Sequence, residues 1–276
     1  MELIESIFKL KDHKTSFKKE VLAGLATFLT MAYIMVVNPA ILSETGMDFD
    51  SVFVATILAS FVACMLMGVL ANWPVALAPG MGLNAFFTYA VVFGMGFSWQ
   101  QALAAVLCSG ILFLLISISP LRAYLINAIP RSLKFGIGAG IGFFLAIIGL
   151  KNAGIVVDNP ATLVGLGDLK SAPVLLALLT LTLMIALDKL KIPGAIVLSI
   201  LATTIVGFIF GVAQFQGVAS SIPSMSPTFM QLDFSSLGSS LFLIVIFTIL
   251  FVDFFDTAGT LTSVANLSGK IDKDGN

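Results

Sequence analysis

Of the 276 residues 58% are hydrophobic and only 11% charged, with a net charge of −1 and a mean hydropathy of +1.07. A water-soluble fold carries roughly 25% charged residues, so lipid is the solvent for most of this chain. No basic patch lies beyond the first twenty residues, which removes nucleic acid as a partner.

Residues 1–19 read as a cytoplasmic tail. Glu2 and Glu5 stand where a signal peptide would be basic, so no cleavage is expected. Leu3, Ile4, Ile7 and Phe8 recur at helical spacing beside Lys9, Lys11 and Lys14, a pattern that fits a helix lying on the membrane surface; a frayed basic tail fits it as well. His13, the sole histidine, belongs to this solvated tail, leaving none for a metal or a proton relay.

Apolar runs long enough to cross about 30 Å of hydrocarbon follow at 20–42, 52–71, 74–94, 100–119, 133–150, 172–188, 193–212 and 238–266. The third is interrupted by Pro74, Pro79, Gly80 and Gly82. The positive-inside rule decides whether it crosses. With eight spans and a cytoplasmic N-terminus, the inside holds Lys9, Lys11, Lys14, Lys18, Lys19, Arg122, Arg131, Lys134, Lys189, Lys191, Lys270 and Lys273, and the outside only Lys151 and Lys170. Were 74–94 not to cross, Arg122, Arg131 and Lys134 would fall outside. The expected class is an all-α polytopic protein of the cell membrane.

The Ser-, Pro- and Gln-rich stretch near 213–236 is the longest connection and reads as an external loop and seam. It separates a first repeat of seven spans, 20–212, from one further span, 237–267, before a cytoplasmic loop, 268–276. Seven spans and one make an odd whole, so the chain is read as a fragment. Comparing the first span with the eighth gives only a vague match of Thr and Phe positions.

Three features stand out within the spans. In Trp73–Tyr89 the prolines and glycines forbid a continuous helix, and non-helical backbone at membrane depth survives only where protein or a wet cavity satisfies it. The reading is an extended piece, 74–79, leading into a half-helix from about Met81 whose positive end points into the protein. Asn84 in its first turn offers a donor and an acceptor, which suits the mixed edge of a nucleobase; the plainer alternative is a kinked helix with Asn84 bonded to a neighbour.

Asp253 and Asp256 are the second feature, two carboxylates in an otherwise apolar run. Such acids are costly in a membrane and usually functional. Three apart, they share one helix face and repel when both are ionised, an arrangement suited to carrying a proton. The alternative ends the helix near Gly259 and leaves both solvated among lipid headgroups.

The third feature is Gly136, Gly138, Gly140 and Gly142, read as a small-residue face for helix packing. Cys64 and Cys108, too few for a disulfide framework, read as packing residues. Tyr33 and Asn38-Pro39 are weaker candidates for lining a cavity, and Phe86, Phe254 and Phe255 for stacking on a flat ring.

TFLTMAYIMVVNPAIL (27–42), ALAPGMGLNAFFTY (76–89) and FVDFFDTAGTL (251–261) together resemble the AzgA-like purine permeases of the nucleobase–cation symporter-2 class, over nearly the whole chain. The resemblance implies fourteen spans in two inverted repeats of seven, with the third and tenth spans part strand and part helix. It implies uptake of adenine, guanine or hypoxanthine with a proton and without a cofactor, sodium remaining open as the ion. A homodimer is compatible with it. By motif, Gly82 and Asn84 match the third-span contributors to the purine site, Asp253 the purine-binding acid of the eighth span, and Asp256 the acid essential for transport. The tenth-span acid has no counterpart, so these 276 residues alone are expected not to transport; uptake above an empty-vector control would overturn that.

Two rival readings remain. An anion transporter of similar architecture would hold sulfate or bicarbonate at half-helix ends, but fixed aspartates would repel it. An intramembrane aspartyl protease takes its two acids from different helices, whereas here both lie on one helix and no GxGD motif occurs. An enzyme is not expected.

Overall fold

A computed structural model describes residues 8–12, 15–73, 75–119, 131–160, 162–192, 194–214, 217 and 221–267. The surface helix expected around Leu3, Ile4 and Ile7 lies outside these residues, as do His13, Lys14, Pro74, Arg122 and the loop 268–276.

The helices are α1 (Phe17–Met31), α2 (Ile34–Ser43), α3 (Phe49–Val69), α4 (Met81–Ala85), α5 (Trp99–Ile118), α6 (Arg131–Asn152), α7 (Ala172–Lys189), α8 (Ala195–Ile209) and α9 (Ser240–Leu267). A π-helical segment, Phe86–Gly94, continues α4. Among the described residues five helical stretches, counting α1 and α2 together, are long and apolar enough to cross a membrane, with shorter apolar helices at Met81–Gly94, Gly142–Asn152 and Ala195–Ile209. At most one third of the apolar window of any of the five is buried, which leaves a large apolar surface of the kind that lipid or further membrane helices cover. The chain is a multi-pass membrane protein.

The chain forms two compact units that interleave along the sequence. The first comprises 1–43, 48–79 and 147–227. Here the first span is not one helix: the Ala32 N–H closes α1 on the Phe28 carbonyl (2.8 Å), and the N–H groups of Val36 and Val37 both return to the Tyr33 carbonyl. Pro39, inside α2, cannot donate to the preceding turn. Buried Asn38 instead ties α2 to α3, its Nδ2 donating to Thr56 Oγ1 at 2.6 Å. Asp48 caps α3, accepting from the Ser51 amide (2.8 Å) and hydroxyl (2.6 Å), and these bonds, the hydroxyl first, hold its carboxyl below the usual range. α7 and α8 pack as a hairpin in which Thr180 bonds Thr203 at 2.9 Å. Gly194 caps α8 with φ +76, and a side chain there would also press on Leu29 of α1, 3.3 Å from its Cβ. Between α6 and α7 stands an unforeseen antiparallel hairpin, β1 (Val156–Asn159) with β2 (Leu163–Leu166), Val156 opposite Leu166.

The second unit comprises 44–47, 80–146 and 228–276, and α9 packs along α5 within it. Small buried residues Ala102, Ala105 and Ser109, three and four apart on α5, permit a close seam. Phe242 is buried edge-on against Phe97, centroids 6.1 Å apart. Ser98 and Gln101 form a reciprocal capping box at the start of α5. The Gln101 amide also donates to Ser235 and Ser236, pinning the end of the long connection. Asp233, bonded by the amide of Ser235, is held below the usual carboxylate range.

Among the described residues nothing packs on the glycine face of α6. A side chain at Gly136, Gly140 or Gly142 would meet nothing within 4 Å, and the surroundings of Gly138 lie outside those described.

Candidate functional site

The third span breaks where its prolines and glycines require. Proline disfavours the α conformation in the residue before it, and residues 75–80 are non-helical. Gly80 is extended (φ −74, ψ 115) and caps the helix that begins at Met81, its carbonyl accepting from the Asn84 N–H at 3.2 Å. Residues 75–80 pair with no strand among the described residues, so the expected strand is here an unpaired limb.

A limb without helix or ladder needs partners for its peptide groups. Cys64 of α3 supplies both for Leu77: its thiol donates to the Leu77 carbonyl (3.3 Å), and its sulfur accepts from the Leu77 N–H (3.1 Å). The packing role read for Cys64 is thus corrected to a bonding one. Thirteen residues separate the pair, and nothing in their spacing announces the contact.

α9 runs without interruption to Leu267, so the ending near Gly259 that would leave the aspartates among headgroups does not occur. The midpoint of the helix falls between Asp253 and Phe254. Both aspartates are half-buried, and they keep different company. Thr257 donates to Asp253 Oδ1 at 3.5 Å. Asp256 reaches the start of the half-helix: a Cβ on Gly80 would lie 3.3 Å from its Oδ2. The missing side chain of Gly80 therefore lets a carboxylate approach the positive end of a helix, where negative charge is favoured.

Gly82, Asn84, Asp253 and Asp256 thus lie in one unit, on α4 and α9, which pack together. Gly82 and Asn84 are half-buried one turn inside the half-helix. A cavity of about 280 Å³ opens between α5 and α9, lined by Phe113, Leu114, Ser117, Phe254, Thr257 and Leu261 among others. None of the four predicted site residues lines it. Phe254 is buried with its ring against Phe113 and Phe255, and Phe255 stacks on Phe251, so the chain itself supplies aromatic partners for both. Phe86 opens the π-helical segment, half-buried. Asn38 is buried and its amide donates to Thr56, and Tyr33 marks the break between α1 and α2.

Residues 18–276 match the Permease family. The chain belongs to this family. This permease is 47% identical over its full length to a Methanocaldococcus jannaschii protein named as a permease, covering 63% of it. It is 42% identical to the adenine permease AdeP of Escherichia coli, over 99% of this chain and 61% of that one. It is 44% identical to the guanine/hypoxanthine permease PbuG of Bacillus subtilis, over 96% and 63%. The chain thus spans less than two thirds of the length of these curated relatives. The resemblance read from the three motifs is borne out, and the relatives are transporters rather than enzymes.

Proposed function

We propose that this chain supplies eight spans of a secondary active transporter that imports purine nucleobases, namely adenine, guanine or hypoxanthine, with a proton across the cytoplasmic membrane. The observation that carries this reading is Asp256 at the start of the broken-helix segment, with Asp253 one turn away at mid-helix. Gly82 and Asn84 offer backbone and amide groups to the edge of the base, and Asp253 accepts a purine N–H. Asp256, with Asp253, takes up a proton and gives it back on the other side. The names of the relatives, adenine permease and guanine/hypoxanthine permease, support the substrate class. The lysine and arginine count supports a cytoplasmic N-terminus, and the seam at 213–236 supports 20–212 as the first of two inverted repeats.

Uptake of radiolabelled hypoxanthine, guanine and adenine, in cells lacking purine permeases and expressing the full-length protein, tests the proposal. Saturable uptake abolished both by Asp253→Asn and by a protonophore is expected. Uptake of none of the three would overturn it, and competition by sulfate would favour the anion reading.

A further inference from the structure

The third-span motif ends in Tyr89, to which neither the purine site nor the proton path assigns a role. Tyr89 lies in the π-helical segment, nine residues beyond the break at Gly80 and toward the far end of the span. Its hydroxyl sits 2.9 and 3.0 Å from the two carboxylate oxygens of Glu44. A phenol has one proton to donate, so the bond is shared between both oxygens, and a charged acceptor makes it stronger than a neutral one. The ring is half-buried and packs against Phe93 at 6.2 Å, while Glu44 is exposed. Residues 44–47, part of the link between the first two spans, belong to the same compact unit as α4, α5 and α9, and Met47 is buried. Wide π turns are rare and cluster at functional sites. Here the wide turn presents Tyr89 to Glu44 of that link.

We propose that Glu44, acting through Tyr89, is a positioning residue for the half-helix that carries Gly82 and Asn84: a latch at the end of the span away from the break. The inference rests on the transport reading above for its effect on purine. With the latch closed, the π-helical segment is held and Asn84 stays where a base can meet it. With the latch open, only a fraction of molecules keeps the binding-competent arrangement, and the apparent affinity falls by that fraction. One hydrogen bond of this kind corresponds to about a three- to tenfold change, and it falls on KM rather than on the maximal rate.

The test uses the full-length protein with Glu44→Ala, Tyr89→Phe, the double variant and Glu44→Gln. Purine uptake is measured together with hydrogen–deuterium exchange of peptides covering 86–94. Each single variant is expected to raise KM about three- to tenfold with the maximal rate within about twofold. The double variant is expected to be no worse than either single, because one bond is lost only once. Glu44→Gln keeps an acceptor and stays near the wild type. Exchange over 86–94 quickens in Glu44→Ala and not in Glu44→Gln. Additive effects of the two substitutions, an unchanged KM, or unchanged exchange overturns the latch. A wild-type protein that carries no purine overturns the transport reading instead, and the exchange data still decide whether Glu44 holds the segment.

Discussion

Replacing Cys64 by Ala removes both hydrogen bonds that the α3 side chain makes with Leu77, the N–H at 3.1 Å and the carbonyl at 3.3 Å. Water cannot readily take their place at membrane depth, and each backbone group left unpaired costs about 1–3 kcal/mol. Thiol bonds are weaker than those of a hydroxyl and the limb can relax, so a net loss of about 2–4 kcal/mol is expected. With an unfolding entropy of about 2.1 cal/mol/K per residue, that corresponds to a fall in Tm of roughly 3–7 °C for 276 residues and to proportionately less in the longer full-length protein. The assay is thermal unfolding of the detergent-purified full-length protein followed by size-exclusion chromatography, comparing Cys64→Ala, Cys64→Val and Cys64→Ser. Valine restores volume without polar atoms and stays low, whereas serine both donates and accepts and recovers most of the loss. If alanine and valine melt within about 1 °C of wild type, or serine melts as low as alanine, Cys64 only fills space and the reasoning fails.

Gly80→Ala places a methyl group 3.3 Å from Asp256 Oδ2. Because φ at Gly80 is an ordinary −74, the effect is contact rather than backbone strain: uptake is expected to fall about tenfold with the amount of folded protein unchanged, equivalent to about 1.4 kcal/mol, and wild-type uptake would refute the contact. The bond from Asn38 to Thr56 at 2.6 Å is buried, so Asn38→Ala is expected to cost about 1–3 kcal/mol, and a double-mutant cycle with Thr56→Val measured by thermal unfolding should show coupling between the two. Asp48 has its carboxyl held below the usual range by Ser51; its cap is therefore fully present above the ordinary carboxylate pKa and lost as pH falls through the depressed folded-state value. Amide exchange at the start of α3 should quicken on acidification in the wild type, and be fast and pH-independent, after correction for intrinsic rates, in Asp48→Ala.

The break in the third span was legible because its causes are local. Pro79 and Gly80 act on their own peptide groups, and Met81 begins a helix in the chain as it does in the reading of the residues. The π winding of Phe86–Gly94 was not legible, since an apolar run such as FFTYAVVFG shows no polar face that would fix its period. The hairpin at 156–166 rests on runs of only four residues, too short for an alternating pattern to stand out. The break at Ala32–Tyr33 carries neither Pro nor Gly of its own. The partners of Cys64, Tyr89 and Asp256 are tertiary contacts, which no spacing within one span encodes.

The aspartates illustrate what spacing alone leaves out. Three residues apart on one helix they are near-equivalents, and spacing alone treats them as two carboxylates that repel when both are ionised. Packing makes them unlike. Asp256 points to the start of a helix, beside peptide dipoles that attract negative charge and at a residue, Gly80, with no side chain to exclude it. Asp253 has the hydroxyl of Thr257 as its neighbour, a group that can turn to donate or to accept. A carboxyl beside such a rotor can exchange a hydrogen-bonding partner without rebuilding the backbone, as binding and releasing a base requires. A carboxyl set against a helix start cannot do so without moving that start, and this ties its charge to the position of the half-helix. Coupling of an ion to a substrate requires two states that both ligands bias, and in the proposed transporter the half-helix is the element that each aspartate would reach by a different route: Asp256 by its approach to Gly80, and Asp253 by a base held against Asn84.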